Sequence, residues 1–288
     1  RKDILANLGL KVPETWDEFN AIMPILVSKN YLIGMGDKTG RPGLLNTFIY
    51  QNGGEIYTNN GTTISYDQDV TLDAFTRMCT FYTTYKFPLT YDAPNRFRTG
   101  EMPLFIGDYI GNYNQFTVFA PEIKGLWGFT SIPGTVHADG SVNRSIVTSI
   151  NCIVIMKDAA ERGTDEAGFK FIKWWMGSTI QGQYANELVA LLGPAGKYAT
   201  ANMDAFNDMS WSASDLREIK TQFSNLKGVP EMPGSYIITR YVDFAFLNVY
   251  NDGLVPSEAL TDYTQTINKE FERKREELKR AFYIPSKR

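Results

Sequence analysis

The chain has 288 residues, 43% hydrophobic and 21% charged, enough for one large or two modest domains with a real core. Its 29 basic and 32 acidic side chains leave a formal charge of -3, which excludes a broad electrostatic footprint for nucleic acid. No apolar run approaches the ~20 residues of a membrane-spanning helix, and Arg1-Lys2-Asp3-Ile4-Leu5 is not a signal peptide.

In chain order, Pro13-Glu14-Thr15-Trp16-Asp17-Glu18 starts a helix, with Thr15 and Glu18 in capping-box spacing, that runs to about Ser28 and turns at Asn30. A glycine-rich stretch (Gly34, Gly36, Gly40, Gly43) leads to a short helix over 45–51. Ile56-Tyr57 and 63–66 flank Asn59-Asn60-Gly61 as a hairpin. Residues 69–85 then form a long helix whose buried stripe is Leu72, Phe75, Cys79 and Tyr82. Short strands are predicted at 102–106 and 127–132. The nearly continuous apolar run 149–156 has the pattern of a central strand covered on both faces. Helices follow at 165–176, from Ser178 with Gln181 in capping-box spacing, and at 213–226. Val229-Pro230-Glu231-Met232-Pro233-Gly234 is a linker, because two prolines in five residues forbid continued helix. The last two helices cover 236–250 and run from Ser257, the latter carrying Leu260, Tyr263, Ile267 and Phe271 inward. Strands alternating with helices make the class α/β.

Little chemistry is advertised. Cys79, in an amphipathic helix, and Cys152, in an apolar strand, fit no metal spacing and read as two buried free thiols. The lone histidine, His137, sits in a polar turn with no nucleophile or orienting partner signalled. No phosphate loop, dinucleotide fingerprint or nucleophile elbow appears, and no cofactor is implied. Asp37-Lys38-Thr39-Gly40 lacks the further carboxylates of a calcium loop. The basic residues Arg273, Lys274, Arg275, Lys279 and Arg280 alternate with glutamates as on a solvated helix face. Aromatics, by contrast, reach 14%, and tyrosine both packs a ring and offers a hydroxyl.

Three segments resemble the family 1 extracellular solute-binding proteins, the group that includes maltose-binding and other oligosaccharide-binding proteins. They are the stretch from Asp3 to Glu18, the stretch from Phe97 to Tyr109 (Phe-Arg-Thr-Gly-Glu-Met-Pro-Leu-Phe-Ile-Gly-Asp-Tyr), and the stretch from Pro233 to Phe246. The last, together with 262–270 and Arg273-Lys274-Arg275, is similar to the carboxy-terminal end of the large members typical of Gram-positive bacteria. The resemblance covers the chain in consistent order, beginning at the family's entry segment, so the first strands of the amino-terminal lobe are expected upstream of it. It implies a periplasmic-binding-protein-like fold of type II, two α/β lobes with a hinge. Residues 1–142 and 229–288 would form the carboxy-terminal lobe and 143–228 the retained part of an incomplete amino-terminal lobe, with an exposed sheet edge.

The function so implied is a non-enzymatic capture subunit of an ATP-driven (ABC) importer, a cell-surface lipoprotein that takes an oligosaccharide to a membrane permease. The ligand-binding candidates are Tyr109, as a stacking aromatic, and Asp108 beside it, as a hydroxyl acceptor. Tyr236 and Arg240 open the helix after the linker, Asn46 and Phe48 lie in the short helix after the glycines, and Asn143 and Arg144 stand at the crossover, where a hinge role is an equal reading. Trp16, Trp127, Trp174 and Trp175 are expected in the core, and Trp211 stands in a polar segment whose pattern assigns it nowhere. Three rivals remain open. One is a peptide, amino-sugar or uronate ligand, and Arg144 and Arg240 together would suit an acidic sugar. Another is a glycan hydrolase, which needs two facing carboxylates. The third is a purely structural surface module with no concave aromatic site.

Overall fold

A computed structural model describes residues 1–35 and 40–281. Gly36, Asp37, Lys38 and Thr39, including most of the superficial ion loop, lie outside the described residues. In chain order the elements are α1 (Lys2–Asn7), α2 (Trp16–Ser28), β1 (Ile33–Gly34), α3 (Arg41–Gln51), β2 (Tyr57–Thr58), β3 (Thr63–Ile64), α4 (Asp69–Thr83), α5 (Ala93–Thr99) and β4 (Leu104–Phe105). Next come α6 (Tyr109–Phe119), β5 (Thr135–Val136), β6 (Val142–Asn143), β7 (Ile146–Thr148), α7 (Lys157–Glu161), α8 (Asp165–Trp175) and α9 (Ser178–Leu192). The chain ends with α10 (Met203–Asn207), α11 (Ala213–Phe223), β8 (Leu226–Gly228), α12 (Ile238–Asp252) and α13 (Pro256–Ala281).

The strands pair only two at a time: β1 with β4 and β7 with β8 in parallel, β2 with β3 and β5 with β6 antiparallel. The result is a helix-rich α/β protein. Gly34 is required where β1 meets β4, because a Cβ there would come within 2.7 Å of the Phe105 Cβ.

The chain divides into two compact units. Unit 1 comprises Arg1–Ile106, Ser131–Thr148 and Gln222–Arg288; unit 2 comprises Gly107–Thr130 and Ser149–Thr221. Residues 107–130, expected with the stretch 1–142, therefore cluster with unit 2, and 222–228 cluster with unit 1.

Unit 1 is built on apolar faces that the helical period aligns. Trp16 and Phe19 of α2, Phe48 of α3 and Phe81 of α4 interlock, the Trp16 and Phe48 rings at 4.9 Å and the Phe19 and Phe81 rings edge-on at 5.8 Å. From the other side α13 buries Leu260, Ile267 and Phe271. Two polar arrangements inside this core are specific. The Trp16 indole N–H donates to Gln51 Oε1 at 2.7 Å, and the Gln51 amide donates to the carbonyls of Pro133 and Ser145. Arg41 and Asp243, 3% and 2% exposed, form an ion pair at 2.5 Å, with the guanidinium 4.3 Å from the Phe246 ring centroid.

Unit 2 contains no strand among its described residues. Both strands expected there, at 127–132 and 149–156, are irregular backbone, because a strand needs a hydrogen-bonded neighbour and none is supplied within the unit. In consequence Cys152, expected in the core, is exposed, as are Ile150, Ile153, Ile155, Met156 and Val154, the last at 70%. Phe169, Phe171 and Trp174 of α8 and Leu191 and Leu192 of α9 are exposed as well. Helical periodicity places Trp174 on a face that nothing described in the unit covers, which overturns its expected core position; Trp175 is half-buried against Tyr184. The thiols are free, as read from the sequence, and Cys79 is buried, its pKa raised to about 12 by burial.

Candidate functional site

The head of α6 is the best-defined of the predicted sites. Asp108 is the helix N-cap, its carboxylate accepting the Gly111 N–H at 2.6 Å, which places a negative charge at the positive end of the helix. Tyr109 is the first helical residue. Burial, with the Asp108 charge adding to it, pushes its phenol well above the ordinary tyrosine value, so it is a neutral hydroxyl at any physiological pH. One helical turn on, Tyr113 lies on the same face.

These two tyrosines meet an aromatic group contributed by segments distant in sequence. The Tyr109 ring lies 6.4 Å from Trp211 at 36°, and Tyr113 stands edge-on to Trp211 at 5.1 Å, to Trp127 at 5.7 Å and to Phe129 at 6.2 Å. Phe206 lies 6.2 Å behind Trp211. Over the Trp211 ring sits the ammonium of Lys197, 4.6 Å from the centroid, donating to the carbonyl and hydroxyl oxygens of Ser210. Burial depresses the Lys197 pKa, and the Asp215 carboxylate opposes that shift. Tyr109, Tyr113, Trp127, Phe129 and Trp211 each keep part of their surface open to solvent. Such half-exposed rings beside a carboxylate and tyrosine hydroxyls are the chemistry that packs on an apolar C–H face while offering polar partners at its rim, whereas Lys197 is itself buried and held by Ser210.

Tyr113, Trp127, Phe129, Trp211 and Lys197 are not among the residues the sequence singles out for a site. The helix that aligns Tyr113 with Tyr109 is not among those its pattern predicts, the core strand expected around Trp127 does not form, and Trp211 has no local signal.

The remaining candidates belong to unit 1. Asn46 is nearly buried, its Oδ1 accepting the Tyr66 hydroxyl at 3.2 Å, and Phe48 is fully enclosed among the core rings, where it presents no surface to a ligand. Asn143 braces a turn, its amide donating to the Tyr50 carbonyl and its Oδ1 accepting the Ser145 N–H. Arg144 is paired with Glu14 at 3.3 Å. Tyr236 is 64% exposed, its hydroxyl donating to Glu270, and Arg240 is exposed in the first turn of α12. Among the described residues no group of three or more His, Cys, Asp or Glu side chains could hold a metal, and no helix is long and apolar enough to cross a membrane.

Residues 1–182 match the family model of the bacterial extracellular solute-binding proteins. The chain belongs to that family. None of the curated proteins matches the sequence significantly. Among solved structures, a sugar-binding protein of Xanthomonas citri is similar over 97% of this chain and 69% of its own, with 16% identity and a TM-score of 0.77. A solute-binding protein of Thermotoga lettingae bound with α-D-tagatose is similar over 94% of this chain and 68% of its own, with 19% identity and a TM-score of 0.68. A substrate-binding protein of Listeria monocytogenes in complex with cycloalternan covers 93% and 67%, with 18% identity and a TM-score of 0.66. At such identities the likeness establishes the fold of this solute-binding protein, a type II arrangement.

Proposed function

We propose that this extracellular solute-binding protein reversibly captures an oligosaccharide or related glycan and delivers it to the membrane permease of an ABC importer, held at the cell surface as a lipoprotein. The observation that carries the reading is the aromatic group at the head of α6, where Tyr109 is set beside the Asp108 carboxylate. A sugar ring stacks its C–H face on the phenol while its hydroxyls donate to the carboxylate. Capture of this kind involves no covalent step, in keeping with a family of binding proteins. Solved relatives of similar fold hold tagatose and cycloalternan. The acidic-sugar alternative loses one of its two arginines, since Arg144 is engaged by Glu14.

The test is calorimetric titration of a glycan panel that includes maltotriose, cycloalternan and D-tagatose, with product analysis of each mixture. At least one glycan should bind and be recovered intact. Tyr109→Ala should weaken it about 10-fold, the loss of one stacking contact, while Tyr109→Phe stays within about 3-fold. A glycan cleaved during the titration, or a panel with no binder, would sink the proposal.

A further inference from the structure

The contacts around Tyr109 form a closed circuit within unit 2. Tyr109 packs on Trp211, Trp211 lies under the Lys197 ammonium, and the Lys197 backbone carbonyl accepts the Asn114 amide N–H at 2.9 Å. Asn114 returns the circuit to α6, five residues after Tyr109. Because that bond is made to a carbonyl, the Asn114 nitrogen must be the donor, which fixes where its Oδ1 points.

Two polar atoms in this circuit are sealed from solvent without a hydrogen-bond partner, the indole N–H of Trp211 and the Oδ1 of Asn114. One is a donor and the other an acceptor. Unpaired buried groups of this kind are unfavourable and uncommon in folded proteins. A hydroxyl entering beside Tyr109 and reaching either atom would supply the partner it lacks.

We infer that Trp211 is a positioning residue of the glycan site, setting the Tyr109 ring in the free protein and moving with it when a sugar stacks. The inference rests on the capture reading above. It differs from a merely structural role in requiring Trp211 to report on occupancy.

The experiment follows tryptophan emission while the whole chain is titrated with the glycan found by calorimetry, in the parent and in Trp211→Phe, Trp211→Ala and Trp174→Phe. Trp174 lies on α8 and touches none of these rings, packing instead on Phe171 and Trp175. The parent and Trp174→Phe should show an emission change that saturates with the calorimetric Kd. Trp211→Phe should lose most of that change and bind about 3- to 10-fold more weakly, and Trp211→Ala more weakly again. A Trp211→Phe protein that keeps the parent's Kd and its emission change would overturn the inference and leave the capture reading intact. A parent that binds no glycan would overturn both.

Discussion

Asp243 and Arg41 stand 202 positions apart, yet both are shut away from water in one ion pair inside unit 1. Removing one member should be costly, because the other would be left as an uncompensated buried charge. Asp243→Ala is expected to lose about 3–5 kcal/mol in urea unfolding. Replacing both by apolar residues, Arg41→Met with Asp243→Leu, should recover most of that loss, the more so because the Nε and Nη1 of Arg41 have no hydrogen-bond partner even in the native pair. Glu270 gives a case on the surface. Arg273 and then Tyr236 hold its carboxyl at about 2, below its ordinary 4.5. A depressed pKa contributes stability that is whole above 4.5 and fades as pH falls toward 2. Melting temperatures of the parent and Glu270→Gln should therefore differ most near neutral pH and converge in strong acid, with a small gap throughout because its partners Arg273 and Tyr236 are exposed and solvent screens the interaction. At this scale Asp108 and Tyr109 were singled out by the family resemblance, as the pair that follows the strand expected at 102–106, and no local pattern announced the helix they begin. The sequence could not reveal that Phe48 points inward while Trp211 points at Tyr109, because both facts depend on which distant segment comes alongside.

Helices were far more legible than strands. The cap on α2 is as its spacing implies, with Thr15 Oγ1 accepting the Glu18 N–H at 3.2 Å, although Glu18 reaches back to the amide of Glu14 instead of that of Thr15. Thr15→Ala should cost about 1 kcal/mol in urea unfolding, a loss that Thr15→Ser largely avoids. The start of α3 at Arg41, four residues earlier than expected, has a local cause. Gly43 is counted in the glycine-rich stretch before the expected helix, but Pro42 beside it is at home in the first turn, where its missing N–H has no intrahelical partner to lose. Strands depend on a partner that can lie anywhere in the chain. The run 149–156 states plainly that it is apolar, and nothing local says what would pair with it. The expected central strand is thus open backbone here, whereas the short β1 and β4 pair found each other across 71 residues, as Ile33 does with Leu104.

At the scale of the molecule, unit 1 is well cored, whereas unit 2 leaves many large apolar side chains bare, among them Ile150, Val154, Phe169 and Phe171, with Leu191 81% exposed. An open apolar surface of this kind binds hydrophobic dyes and favours association. Val154→Lys with Phe171→Lys should lower dye fluorescence and concentration-dependent association in light scattering, while shifting unfolding by no more than about 0.5 kcal/mol. Unchanged dye binding would show that some other surface is responsible.

The pairing of Arg41 with Asp243, and of the Ile64 amide with Asn268, has a consequence for biosynthesis. Each joins residues more than 200 positions apart, so the first third of unit 1 leaves the ribosome long before the helices that seal it exist. At about 5–20 residues per second the wait is roughly 10–40 seconds. Throughout that interval Phe75, Met78 and Tyr82 of α4 lack their covering helices, and the nascent chain is exposed to whatever chaperone or protease reaches it first.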